Sequence, residues 1–208
     1  KNGALPYMDG IAVHPYRATP EGVEKELAAL VELMKKYNQG RAKPIWVTET
    51  GSWRDQSPER ATTARYLVRM LTLMLTQPEV ERIYWYLMCD FREFKTMGIV
   101  HGADDPTGRF TPTMIYPAYA NLIHRLYGAR PDRREETDLR TRVYRFNRAN
   151  DAVWVCWTTS GQTKLRLAGD SPMLRVNLVG GEQSLAPEGG SLVVDVDETP
   201  FYLIGSKA

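Results

Sequence analysis

The chain has 208 residues, 43% of them hydrophobic and 25% charged, which is ordinary globular composition with room for one large domain or two small ones. A formal net charge of +2 argues against a nucleic-acid polyanion as the main partner, and no apolar run is long enough to cross a bilayer. No signal peptide opens the chain and its first residue is Lys1, so it reads as a piece of a longer protein whose compartment stays open, a secreted or periplasmic parent included.

Up to about residue 126, short apolar strands alternate with long helices. Tyr7–Val13 reads as a strand, followed by His14-Pro15-Tyr16. A helix is expected from Pro20, with Thr19 as its N-cap, and Val23, Leu27, Leu30, Val31 and Met34 form its apolar stripe. The run Pro44-Ile-Trp-Val-Thr-Glu-Thr-Gly-Ser-Trp53 reads as a strand ending in a carboxylate and a turn glycine. A second helix is expected from Ser57-Pro58, apolar on most faces between Leu67 and Leu75. Arg82–Cys89 is a strand rich in aromatic residues, ending at Asp90, which either meets a ligand or pairs with Arg92. A third helix, Pro117–Leu126, closes the region, and the alternation implies parallel strands with right-handed crossovers.

After Tyr127 the pattern changes. Gly128–Glu136 is polar and reads as a linker. Six short strands follow at regular spacing, Arg142–Phe146, Ala152–Trp157, Lys164–Leu167, Leu174–Val179, Ser191–Val196 and Phe201–Ile204, separated by glycine-rich turns. They predict a small antiparallel β-sandwich over residues 127–208. The arginines between Arg125 and Arg148 are interleaved with Asp132, Glu135, Glu136 and Asp138, so a self-paired, solvated surface is expected there rather than an anion site. Cys89 and Cys156 lie in apolar strand patterns without metal-ligand spacing and read as buried free thiols.

Glu49 is the most informative residue. A strand has no ordinary structural reason to carry an acid at its tip, and in parallel α/β proteins ligands and chemistry gather at strand C-termini. His14 and Tyr16 stand at the tip of the strand before it, and Trp85 lies near the tip of the strand after it. A solvated acid capping the turn is the structural alternative for Glu49, as a wall tyrosine is for Tyr16, a satisfied histidine for His14 and a core ring for Trp85.

These tips resemble the last three β/α units of clan A glycoside hydrolases, retaining enzymes on a (β/α)8 TIM barrel. Asp9-Gly-Ile-Ala-Val-His-Pro-Tyr16 resembles the clan's sixth strand, Ile45-Trp-Val-Thr-Glu49 the seventh and Ile83-Tyr-Trp-Tyr86 the eighth. Gly98-Ile-Val, Asp105-Pro-Thr-Gly108 and Pro117-Ala-Tyr119 resemble the segment leading into the final helix, and Val153–Trp157 with Thr199–Gly205 the small sandwich often fused to such barrels. The resemblance implies α/β plus all-β architecture, with barrel units over residues 1–126. It also implies a carbohydrate substrate, Glu49 as nucleophile, and His14, Tyr16, Trp85 and the loop residue Trp53 as substrate-binding residues. No metal or other cofactor is implied.

The clan's proton donor is a Glu in an Asn-Glu pair on the fourth strand, and no such segment stands here, since Asn2 is followed by Gly3. Retaining hydrolysis needs two carboxyls about 5–5.5 Å apart. The chain is therefore expected to hold half of an active site, to be inactive alone, and to need the N-terminal barrel half or a second copy of itself as partner. Two other classes compete. One is a non-catalytic carbohydrate-binding or assembly module, although Trp154 and Trp157 are expected to face inward. The other is a metal-dependent barrel hydrolase using His14, Glu49 and Asp90, which three histidines with one at a strand tip support poorly.

Overall fold

The computed structural model describes residues 3–52, 59–91 and 94–207. The chain divides into two compact units, Lys1–Ile115 and Tyr116–Ala208. Together they form a mixed α/β fold with three α-helices and several sheets among the described residues.

The first unit is built on a parallel sheet of β1 (Ile11–Val13), β2 (Ile45–Thr50) and β3 (Val80–Trp85), in that order. Ile11 pairs with Ile45 and Val13 with Val47, while Ile45 pairs with Val80 and Val47 with Ile83. Two helices make the crossovers, α1 (Val23–Tyr37) and α2 (Arg60–Leu75). Helix α1 buries Val23, Leu27, Val31 and Met34 as one stripe, with Leu30 half-buried beside it. Helix α2 is buried on most faces, with Leu67, Val68, Met70, Leu73 and Met74 fully enclosed.

Local departures from the expected boundaries have physical causes. Tyr7 belongs to a short 3-10 turn over Leu5–Tyr7, so β1 is only three residues long. Helix α1 is capped at Gly22 instead of Thr19, because Gly22 adopts a left-handed φ of 103° that interrupts any helix begun at Pro20. The Glu24 carboxylate then accepts from the Gly22 N–H at 2.9 Å. The expected start of α2 at Ser57-Pro58 lies outside the described residues.

The second unit opens with α3 (Ile115–Leu126), of which all but the first residue belongs to it. A six-stranded antiparallel sheet follows in the order β4-β5-β6-β11-β8-β9, with a two-stranded sheet of β10 and β7. Its strands are β4 (Arg130–Arg134), β5 (Thr141–Asn147), β6 (Ala152–Thr158), β7 (Thr163–Ala168), β8 (Met173–Val176), β9 (Glu182–Leu185), β10 (Ser191–Val196) and β11 (Phe201–Gly205). One core joins the two sheets. Val143, Trp154, Cys156 and Leu203 supply it from one side, and Leu165, Leu192, Val194 and Val196 from the other. Every residue of β6 is buried, so the opposite face, with Val153, Val155 and Trp157, is covered too. Helix α3 is tied to this unit by Asn121, whose side-chain amide donates to the carbonyls of Asn177 and Leu178.

The segment read as a linker contains strand β4. Arg130 and Pro131 pair with Asn147 and Phe146, and after an irregularity Arg133 and Arg134 pair with Arg145 and Tyr144. Its polar side chains suit a sheet edge, where charge discourages further pairing. The interleaved charges pair as expected. Arg133 bridges Asp132 and Glu135, Arg145 meets Asp132, Arg148 meets Asp151, and Arg125 meets Glu182. Cys156 is buried and Cys89 half-buried, both as free thiols.

Candidate functional site

Parallel pairing brings the C-terminal ends of the three strands to one edge of the first unit. Past the ladder the strands stay in register, since Arg17 bridges Ser52 and the Tyr86 N–H donates to the Thr50 carbonyl at 2.7 Å. Glu49 occupies the end of β2 because of a bulge. Between the pairs Val47–Ile83 and Thr50–Trp85, two residues on β2, Thr48 and Glu49, oppose the single residue Tyr84 on β3. Strict alternation would place Glu49 on the buried face with Ile45 and Val47, each fully enclosed. The extra residue re-aims the chain, and the Glu49 side chain is 31% exposed.

Two groups from the end of β1 hold this carboxylate. His14 Nδ1 lies 3.1 Å from Glu49 Oε2, and His14 Nε2 lies 3.0 Å from the Thr48 hydroxyl. A neutral imidazole with its proton on Nδ1 satisfies both contacts, donating to Glu49 and accepting from Thr48. The Tyr16 hydroxyl donates to Glu49 as well. Burial, then this hydrogen bond, then the negative charge of Glu49 push the Tyr16 phenol well above its ordinary value. Tyr16 is thus held neutral and able to donate throughout the neutral and mildly alkaline range.

A titration checks this arrangement. A phenol whose folded pKa is raised contributes stability that is fully present below its unfolded value, near 10, and is lost as pH rises above it. The measurement is a phenolate absorbance titration, which separates phenols that ionise in the ordinary range from those that ionise later. Tyr16→Phe should remove one phenol from the late-ionising group. Loss of one from the ordinary group instead would contradict the Tyr16–Glu49 contact.

Gly51 lets the strand ends approach this closely. A Cβ there would stand 2.5 Å from Met97 Cε, 2.7 Å from the Tyr86 carbonyl oxygen and 3.3 Å from the Tyr16 ring. Tyr86 is the residue that sequence reading underweighted. It is half-buried, its charge state bears on the Tyr16 phenol, and its ring makes an edge contact with Phe94 at 5.5 Å. Trp85 beside it is 8% exposed, donates its indole N–H to the Met97 carbonyl at 2.9 Å, and packs near Tyr66 of α2. That leaves little of its ring to meet a ligand. Alternation along β3 carries the signal, because a buried Trp85 turns its neighbour Tyr86 to the other side. Trp53 lies outside the described residues.

Asp90 is buried and engaged with Arg60 at 2.6 Å and the Gly98 N–H at 2.7 Å, while Arg92 lies outside the described residues. His101 pairs with Asp105 at 2.7 Å, and Asp105 also accepts from Thr107, so this loop is internally braced. Hydrogen bonds from Thr107, then from His101, hold the Asp105 carboxyl below the usual carboxylate range. Among the described residues no group of three His, Cys, Asp or Glu side chains could hold a metal ion, and no helix is long and apolar enough to cross a membrane. The arrangement at Glu49 is that of a carboxylate held by His14 and Tyr16, with part of its surface open to solvent.

A profile of the family described as the glycosyl hydrolase catalytic core matches residues 4–107. A search of curated proteins gave no match. Among solved structures, the chain is similar to a family 39 glycoside hydrolase from the gut symbiont Bacteroides cellulosilyticus WH2, with a TM-score of 0.78 and 21% identity over 97% of this chain and 45% of that one. It is also similar to a family 30 endoxylanase from Clostridium papyrosolvens C71, with a TM-score of 0.62 and 15% identity over 99% of this chain and 51% of that one. A family 39 β-xylosidase from Caulobacter crescentus gives a TM-score of 0.55 and 14% identity, over 96% and 51% of the two chains. At these identities the likeness is one of fold. The chain spans about half the length of these structures.

Proposed function

The chain belongs to the glycosyl hydrolase catalytic-core family, and on that premise we propose that it carries the nucleophile side of a retaining glycosidase site, with Glu49 as nucleophile. The resemblance of its strand ends to clan A glycoside hydrolases agrees with this family and with the fold of the solved relatives. The observation that carries the assignment is the Glu49 carboxylate itself, lifted off the buried face by a bulge and contacted by His14 and Tyr16. In this reading residues 1–126 are the last three β/α units of a (β/α)8 barrel and residues 127–208 a β-sandwich.

The chemistry follows from two carboxyls. One Glu49 oxygen attacks the anomeric carbon while an acid outside this chain protonates the departing glycosidic oxygen. The C–O bond to the leaving group breaks and an ester to Glu49 forms. The same outside residue, now a base, takes a proton from water, whose oxygen displaces Glu49 and releases the sugar with retained configuration. Hydrogen bonds from His14 and Tyr16 fix the orientation of the carboxylate. Tyr86, beside Tyr16, is the aromatic surface we assign to the sugar, with Trp85 behind it as support.

The remaining barrel would cover what this unit leaves exposed. Strand β1 is a sheet edge, and Trp46 and Tyr84 are 43% and 51% exposed on strands of a parallel sheet, a class normally covered on both faces. An apolar cavity of about 670 Å³ beside β1 is lined by Met8, Ile11, Leu30, Leu33, Met34 and Tyr37. The proposed occupant is the N-terminal barrel half, or a second copy of this chain. Accordingly, the 208 residues alone should not hydrolyse oligosaccharides, whose alkoxide leaving groups need protonation, whereas a longer polypeptide that adds the proton-donating strand should. Proton donation alone contributes roughly 10²–10⁴-fold. Turnover by the 208-residue chain at the rate of the longer polypeptide would overturn the half-site reading.

A further inference from the structure

A second cleft lies wholly within the antiparallel unit. Its volume is about 330 Å³, at the lower end of the roughly 300–1,000 Å³ typical of small-ligand sites. Its floor is a cross-strand row, because Arg133 on β4 pairs with Arg145 on β5, and Arg145 pairs with Trp154 on β6. The row runs from an exposed guanidinium, through a buried one, to an indole at the margin of the core.

The row is fixed in place. The Arg145 guanidinium lies over the Trp154 ring, 5.0 Å from its centroid, and its Nε is 3.3 Å from Asp132. Its side chain is 7% exposed. One oxygen of Glu135 accepts the Trp154 indole N–H at 3.0 Å, and the other accepts from Arg133 Nε at 3.0 Å. Across the cleft the turn after β7 presents Asp170 and Ser171, which make no hydrogen bond or ion pair with the other described residues. Gly205 completes the wall, where a Cβ would stand 3.0 Å from Met173 and 3.7 Å from the Trp154 ring.

The charges decide the class of ligand. In the lining Arg133 and Arg145 stand against Glu135 and Asp170, so the cleft is close to neutral and favours neither an anion nor a cation. What it offers is a donor and an acceptor on opposite sides, the outer edge of Arg133 and the carboxylate of Asp170, over a floor braced by the nearly buried Trp154. Adjacent hydroxyls, each able to donate and to accept, match that set. We propose that this cleft binds a neutral saccharide, at a site separate from Glu49. The choice of a saccharide over other neutral polyols rests on the glycosidase reading, whereas the existence of the site does not.

The test uses the whole chain carrying Glu49→Gln, so that binding is read without turnover. Xylohexaose, cellohexaose and mannohexaose are titrated at millimolar concentration while the Trp154 indole N–H resonance is followed. At least one should shift it saturably, and Asp170→Ala and Arg133→Ala should each weaken that binding roughly tenfold. Tyr16→Phe should leave it unchanged. Absence of a shift with all three sugars would overturn the proposal, as would binding that ignores both cleft variants or is lost only with Tyr16→Phe. Saccharide binding at the cleft in a protein whose longer form shows no glycosidase activity would overturn the Glu49 assignment and leave the cleft standing.

Discussion

In a longer polypeptide that joins these residues to a proton donor, Glu49→Gln should lower kcat for aryl glycosides by roughly 10³-fold or more, the scale seen when a covalent nucleophile is removed. The amide keeps the shape of the side chain and one acceptor oxygen for the donors His14 and Tyr16, so a folded variant is expected. It cannot form the ester to the anomeric carbon at a useful rate. Aryl leaving groups of low basicity sharpen the comparison, because their departure depends little on the external acid and the measured rate then reports the nucleophile. Thermal unfolding midpoints of the two proteins should agree closely. Equal rates would remove Glu49 from the mechanism.

Gly51→Ala should be strongly damaging for so small a substitution. The added methyl would stand 2.5 Å from Met97 Cε and 2.7 Å from the Tyr86 carbonyl oxygen. The Met97 methyl can swing aside, but the carbonyl belongs to backbone paired with β2, since the Tyr86 N–H donates to Thr50. Relief therefore requires β2 and the start of the next loop to separate, which moves Glu49 relative to Tyr16. Overpacking of this kind costs about 1–3 kcal/mol. Denaturant unfolding should show that loss, and activity in the longer polypeptide should fall with it. A comparison with Gly40→Ala is informative, because Gly40 has left-handed φ but open space around its Cβ direction. If Gly51→Ala proved no worse than Gly40→Ala, the close packing of the strand ends would be wrong.

Much of the first unit is legible in the sequence because burial there follows simple periods. The stripe from Val23 to Met34 declares α1, and the apolar run from Leu67 to Leu75 declares a helix enclosed on most sides. Strand-end residues His14, Tyr16 and Glu49 stand out because polar groups interrupt apolar strands at their tips. The bulge between Val47 and Thr50 leaves no such mark, although it decides which way Glu49 faces. Trp85 and Tyr86 are adjacent aromatics, and only the register of β3 distinguishes the buried ring from the half-buried one.

The second unit is legible where strands are buried and obscure where they are edges. Ser191–Val196 forms β10 as its alternation indicates. Strands β4 and β9 carry Arg-Pro-Asp-Arg-Arg and Glu-Gln-Ser-Leu, with little apolar content, and are strands because their backbones complete a ladder. Side-chain patterns record burial, and these two strands bury little. The cleft at Trp154 is hidden for a related reason. Arg133, Arg145 and Trp154 are far apart along the chain and become one row only when β4, β5 and β6 align.

The most direct test of the central claim is covalent trapping. A longer polypeptide containing these residues, treated with an activated 2-deoxy-2-fluoro glycoside, should accumulate a glycosyl ester, and peptide mapping should place it on Glu49. A label on any other carboxylate, or turnover of the glycoside with inverted configuration and no ester, would contradict the assignment.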